Sequence, residues 1–224
     1  MNDESPYLPI LKRVGVVLIV VGVIDIGSMI YCIVHRMNYR SSLNIFAVIA
    51  GVFLLRGSLR AAKAISLYGA FLLAGLLPFA LALPVIFPLG LASAAFRIYP
   101  MESLASLAYV TVVLGSLFWV VRQLRSETIL AASARSAVKV RSLTVPILAG
   151  AAIAAFAIPA MRSALSSDQA KRAEQIAAGE VPSGFDFCVT SMKTVRTSSG
   201  KKFSAVVTAW NDHEIRQVPV GWDE

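Results

Sequence analysis

The sequence predicts a helical membrane bundle carrying a small α+β appendage, and three features predict it. Of 224 residues, 57% are apolar and only 15% charged, with a mean hydropathy of +0.70; soluble domains run nearer about 45–50% and about 25%. The apolar residues gather into runs close to the roughly 20 residues that a helix needs to cross about 30 Å of hydrocarbon. From residue 185 onward the pattern changes to the alternating period of strands. Composition of this kind excludes an ordinary cytosolic protein, a disordered chain and a disulfide scaffold.

A cytoplasmic N-terminal tail is expected over residues 1–13. The first span, 14–34, follows Lys12 and Arg13. It is too long for a signal-peptide core and has no small-x-small cleavage site, so it reads as a retained anchor. The second run, Leu43 to Leu55, is short. It reaches 43–59 only if Arg56 extends its charge to the interface. Spans at 64–83, 104–121 and 143–161 complete a transmembrane domain over 14–161. Pro78 is expected to kink the third, because proline removes a helix donor and crowds the preceding turn. Between the third and fourth spans, residues 84–100 are apolar yet proline-rich, which predicts a surface-lying or re-entrant segment.

Charge decides the orientation. Residues 1–161 hold 13 Lys/Arg against 5 Asp/Glu, whereas 162–224 hold eight of each. The surplus therefore sits in clusters between apolar runs, as the positive-inside rule requires. A nucleic-acid surface would need one contiguous basic face, so nucleic acid is not an expected partner. Five spans with the N-terminus inside place ten basic residues in the cytoplasm and three in the short outer loops. Omitting the second span and keeping the N-terminus inside reverses that balance. The C-terminus is then extracytoplasmic, and short loops around a compact bundle suit a bacterial inner membrane. The basic 122–142 loop is expected to lie against anionic headgroups or to bind a partner.

After Met161 a helical stem is expected over 162–181, continuing the fifth span, with Gly179 near its end and Pro182-Ser183-Gly184 breaking it. Residues 182–224 predict a β module. Its strands are Phe185–Val195, Lys202–Trp210 and Glu214–Val220, joined by turns at 197–200 and 211–213 in a three-stranded antiparallel meander. In the first strand, Phe185, Phe187 and Val189 are assigned to one face, and Asp186, Cys188, Thr190 and Met192 to the other. Pro219 suits an edge.

Residues able to carry chemistry are few. Asp25 falls mid-span, where a carboxylate costs about 2.5–3.5 kcal/mol on insertion scales. It is either an ion or substrate site or a protonated, hydrogen-bonded acid, with Ser28, Thr111 and Ser116 as its nearest polar candidates. Trp210 and Trp222 are candidate anchors for a partner, or else the core of the small domain. Ala47 with Gly51, Ala70 with Ala74 and Gly150 with Ala154 are small-residue pairs for helix packing, within the bundle or between copies. Cys32 and Cys188 either bridge or stay as separate thiols. His35 and His213 are far apart, and Asp212-His213-Glu214 reads as a solvated turn. No spacing points to a metal, a cofactor or a catalytic triad.

Three functions follow. The first is a non-enzymatic accessory protein presenting its tail to an envelope partner or to a second copy. The second is a transporter or channel component using Asp25 and the Pro78 kink. A membrane-embedded enzyme comes last.

Overall fold

The computed structural model describes residues 6–35, 44–136, 142–197 and 200–223. Its elements are α1 (Leu8–Val34), α2 (Asn44–Leu55), α3 (Leu59–Ile86), α4 (Leu89–Ile98), α5 (Pro100–Leu124), α6 (Glu127–Arg135), α7 (Thr144–Leu165), α8 (Asp168–Glu180), β1 (Asp186–Thr197), β2 (Gly200–Trp210) and β3 (Ile215–Asp223). Among the described residues, α1, α3, α5 and α7 are long and apolar enough to cross a membrane. Their large apolar side chains are bare where a soluble protein would hide them, as at Ile24, Leu81, Val112 and Phe156. Contacts divide the chain into two compact units, Met1–Ala74 with Leu114–Gly150, and Gly75–Val113 with Ala151–Glu224.

The second expected span does not reach 59. Helix α2 has 12 residues, about 18 Å at 1.5 Å per residue. Its end is a capping motif: Gly57 N–H donates to the Leu54 carbonyl at 2.9 Å, and Ser58 N–H to Phe53 at 3.3 Å. That pair of bonds requires a left-handed residue, and Gly57 supplies it with φ +75°. Ser58 then caps α3, its Oγ accepting from Ala61 N–H at 3.2 Å. One helix stops and the next begins across three residues, Arg56-Gly57-Ser58.

In the first unit, α1 and α2 run in opposite directions and touch backbone to backbone. A Cβ on Gly51 would lie 2.6 Å from the Gly15 carbonyl oxygen and 3.1 Å from Ile19 N, and one on Gly15 would lie 2.8 Å from the Gly51 carbonyl. Small residues permit this approach, on which helix association in lipid depends. Close by, Leu11 and Val14 of α1, Leu54 of α2, Ala62 of α3, Val120 and Leu124 of α5 and Ile129 of α6 form one buried cluster. The start of α1, the end of α2, the start of α3 and the end of α5 therefore share one end of this unit. The Arg13 guanidinium lies over the Trp119 ring there, 5.8 Å from its centroid.

In the second unit, α3 stays helical past Pro78 and Pro84 to Ile86. The 84–100 segment forms α4, a ten-residue helix. The stem is two helices rather than a continuation of α7. Helix α7 ends at Leu165, and Ser167 caps α8 by accepting from Ala170 N–H at 3.3 Å. Serine prefers this cap to a helix interior because its hydroxyl competes for backbone groups. We expect Ser167→Ala to destabilise the module by about 1 kcal/mol, the usual value of such a cap, read as a lowered urea midpoint.

The sheet is antiparallel in the order β1-β2-β3. Ala170, Ala173 and Ala177 of α8 press against Val189, Phe203, Ala205, Val207, Val218, Val220 and Trp222. Alanine at this helical spacing brings the helix axis close to the sheet. The strand bounds match those expected to within three residues, but one face assignment is wrong. Pairing runs Val189 with Val207 and then Ser191 with Val206, leaving Thr190 as a bulge. The extra residue reverses the alternation beyond it, so Met192 joins Phe187 and Val189 on the α8 side. Thr190 Oγ1 meanwhile donates to the Val206 carbonyl at 3.1 Å.

Candidate functional site

The second unit holds a candidate site where the sheet meets α4. Ala94, Cys188 and Trp210 are buried together, with Phe87, Leu91, Ile98 and Ile215 against them. Leu91, Ala94 and Ile98 recur at the three- and four-residue steps of one helix face, a signal that the proline-rich surroundings obscured. Gly90 leaves room for the indole: a Cβ there would lie 3.4 Å from Trp210 Nε1. Beside this contact is a cleft of about 260 Å³ lined by Gly90, Ser93, Ala94, Gly184, Asp186, Trp210, Asn211 and Asp212. Arg97, at the end of α4, pairs with Asp212, one of the residues that line the cleft. Both side chains are largely exposed, so the pair adds orientation more than stability. Gly184, at φ +103°, turns the chain into β1 in a conformation that suits glycine.

The 211–214 turn is held by Asn211 Oδ1, which accepts from the His213 and Glu214 amides at 2.8 Å each. Its carboxylates are engaged, Asp212 with Arg97 and Glu214 with Arg216 at 2.9 Å. Among the described residues no three His, Cys, Asp or Glu side chains gather as a metal site would require.

Trp210 and Trp222, expected as partner anchors or as core, lie at different places in the module. Trp210 is 6% exposed against α4, and Trp222 is 9% exposed against the α8-covered core. Trp222 stacks on Phe203 with ring centroids 5.3 Å apart. Pro78 is half-buried within α3. Asp25 is half-buried on α1. The hydroxyls proposed for it are committed to their own helices in two cases: Ser28 Oγ donates to the Ile24 carbonyl at 2.9 Å, and Thr111 Oγ1 to Leu107 at 2.8 Å. Ser116 is half-buried on α5. Cys32 and Cys188 are both free thiols.

Cys188 and Glu174 form the electrostatic feature of the module. Burial pushes the Glu174 carboxyl above its ordinary value of 4.5, while a hydrogen bond from Val189 N–H opposes the rise. Burial also raises the Cys188 thiol, and the Glu174 charge raises it further. An acid whose folded pKa is raised holds its proton more readily in the folded state. Its ionisation therefore lowers stability as pH rises from the ordinary value through the raised one. Glu174→Gln keeps the acceptor for Val189 and removes the half-buried charge. At neutral pH we expect this variant to melt above wild type, with the gap closing as pH falls to about 4. A gap independent of pH would rule out the charge as its cause.

No protein-family model, no curated protein and no solved structure matches this chain.

Proposed function

We propose that the protein is a non-enzymatic accessory component of a bacterial inner membrane, which holds its α8–sheet module at the extracytoplasmic face for a protein partner of the envelope. The observation that carries this is the free edge of β1. Among the described residues no strand lies beyond it in the order β1-β2-β3, and Ser191, Lys193, Thr194, Val195 and Arg196 are exposed along it. An open edge invites a partner strand, since its backbone groups are ready to pair. Lys193 and Arg196 discourage two copies from pairing with each other, which favours a partner of opposite charge.

Two observations support an odd number of crossings and a C-terminus outside. The positive-inside count is ten basic residues against three. In addition α2, although short, returns antiparallel along α1, and its Leu54 joins Leu11 of α1 and Ala62 of α3 in one cluster. Helix α3 thus sets out from the end where α1 began.

A photo-crosslinking residue at Val195 should trap a discrete adduct in native membranes, and one at Lys171 on α8 should not. An empty lane at Val195 and at the β3 edge alike sinks the proposal. Reporter fusions after residues 63, 122 and 224 should read inside, inside and outside. Transport centred on Asp25 is the competing function. Under the accessory function, Asp25→Asn leaves insertion and assembly unchanged, and a difference in ion or solute flux between the two purified proteins in liposomes would favour transport instead.

A further inference from the structure

We infer that the end of the first unit formed by the start of α1, the α2–α3 turn and the α5–α6 turn is a binding site for a phospholipid bearing two phosphates. The apolar cluster fixes which residues meet there, and most of its members have cations beside them in sequence. Lys12 and Arg13 lie between Leu11 and Val14, Arg56 follows Leu54, Arg60 and Lys63 flank Ala62, and Arg122 and Arg125 flank Leu124. Seven cations from three stretches of sequence thus crowd one end, and Glu127 is the described carboxylate nearest to them in sequence. Among the described residues, no carboxylate pairs with Arg56, Arg60, Lys63 or Arg122; the ion pairs Arg97–Asp212, Lys171–Asp168, Lys202–Asp223 and Arg216–Glu214 all belong to the other unit.

Positive-inside statistics ask only that basic residues stay on one side; they do not require residues so distant in sequence to converge. Depth favours lipid over protein as the occupant. Lys12, Arg13, Arg60, Lys63 and Arg122 are within helices, inside the first two turns or the last turn, rather than on protruding loops. Such side chains sit at headgroup level. Charge favours two phosphates over one, because Arg56, Arg60, Lys63 and Arg122 have no carboxylate partner among the described residues and a single phosphate would balance only one of these four. Packed helices lie about 8–10 Å apart, so three neighbouring helix ends span a width that two linked phosphates can bridge.

The purified full chain in neutral detergent, titrated with diphosphatidylglycerol, phosphatidylglycerol or phosphatidylcholine at equal phosphate, tests this by thermal shift and native mass spectrometry. Saturable one-to-one binding of diphosphatidylglycerol is expected, well above phosphatidylglycerol, with none for phosphatidylcholine. R60Q with K63Q should weaken it about thirtyfold, at roughly fivefold per near-surface cation. R56Q with R122Q should do the same, which covers the case that either pair fails to fold. R196Q with K201Q, on the β1–β2 hairpin of the other unit, should change nothing. Equal binding of the two anionic lipids per phosphate would overturn the diphosphate site, and an unchanged affinity in both pairs would overturn its location. Inorganic pyrophosphate that displaces the lipid at equal concentration would reassign the site to a soluble anion. Displacement by a polyglutamate peptide would reassign it to a protein.

Discussion

Replacing Gly51 by valine is expected to break the pairing of α1 with α2 and to be among the most damaging single changes in the first unit. The new Cβ would fall 2.6 Å from the Gly15 carbonyl oxygen, a distance that real Cβ atoms essentially never show, and a tight 3.1 Å from Ile19 N. A clash with a flexible side chain can be relieved by a rotamer change. A clash with backbone cannot, so the helices must separate. Separation would loosen Leu54 from Leu11, Val14 and Ala62, and with them the cluster that gathers the helix ends. The cost should approach about 3 kcal/mol, the upper part of the range for overpacked cores. Gly27 supplies the control: it lies on the same α1, yet a Cβ there meets nothing within 4 Å. Gly27→Val should leave the melting midpoint in detergent close to wild type while Gly51→Val lowers it by several degrees. Equal effects would mean that the damage comes from valine in a helix and not from the contact.

Trp222→Ala should unfold the C-terminal module or bring it near its midpoint. The indole stacks on Phe203 and belongs to the core beneath α8, so truncation to alanine should cost about 3–5 kcal/mol. A sheet of three strands with one covering helix has little stability in reserve. Trp222→Phe separates the ring from its N–H. Trp222 Nε1 is buried without a hydrogen-bond partner among the described residues, so losing that group should cost little while the stack survives. Cys188, at 8% exposure, provides the readout. In a Cys32→Ser background, its labelling by a thiol reagent should be slow in wild type and Trp222→Phe and fast in Trp222→Ala. Slow labelling in all three would show that the stack is dispensable.

Much of this architecture was legible because its signals are strong and local. The four long apolar helices declare themselves by composition, and the meander by period-two alternation with turn residues at 197–200 and 211–213. The errors came where a short-range signal competed with a larger expectation. Arg56-Gly57-Ser58 carries a helix stop and a helix start side by side, but the length a bilayer demands argued for running the helix through it. Ser166-Ser167 likewise carries a cap that the helix formers on either side concealed. Met192 could not have been placed, because a bulge at Thr190 follows from how β1 pairs with β2, and pairing is not written in one strand. The α4 site had a readable helix face in Leu91, Ala94 and Ile98, yet its partner Trp210 lies over a hundred residues away. The same distance separates Arg97 from Asp212. The charge count puts the basic clusters on one side of the membrane, but only the fold gathers Arg13, Arg60 and Arg122 at one end of the unit.

The docking of Trp210 on α4 has a consequence for biosynthesis. Helix α4 leaves the ribosome more than a hundred residues before Trp210 does, an interval of about 5–20 s at common elongation rates. Throughout it, Phe87, Leu91, Ala94 and Ile98 are without the surface that finally covers them. A nascent chain stalled or cut before the second strand is complete would keep that greasy helix uncovered, marking it for capture by insertion chaperones or membrane proteases.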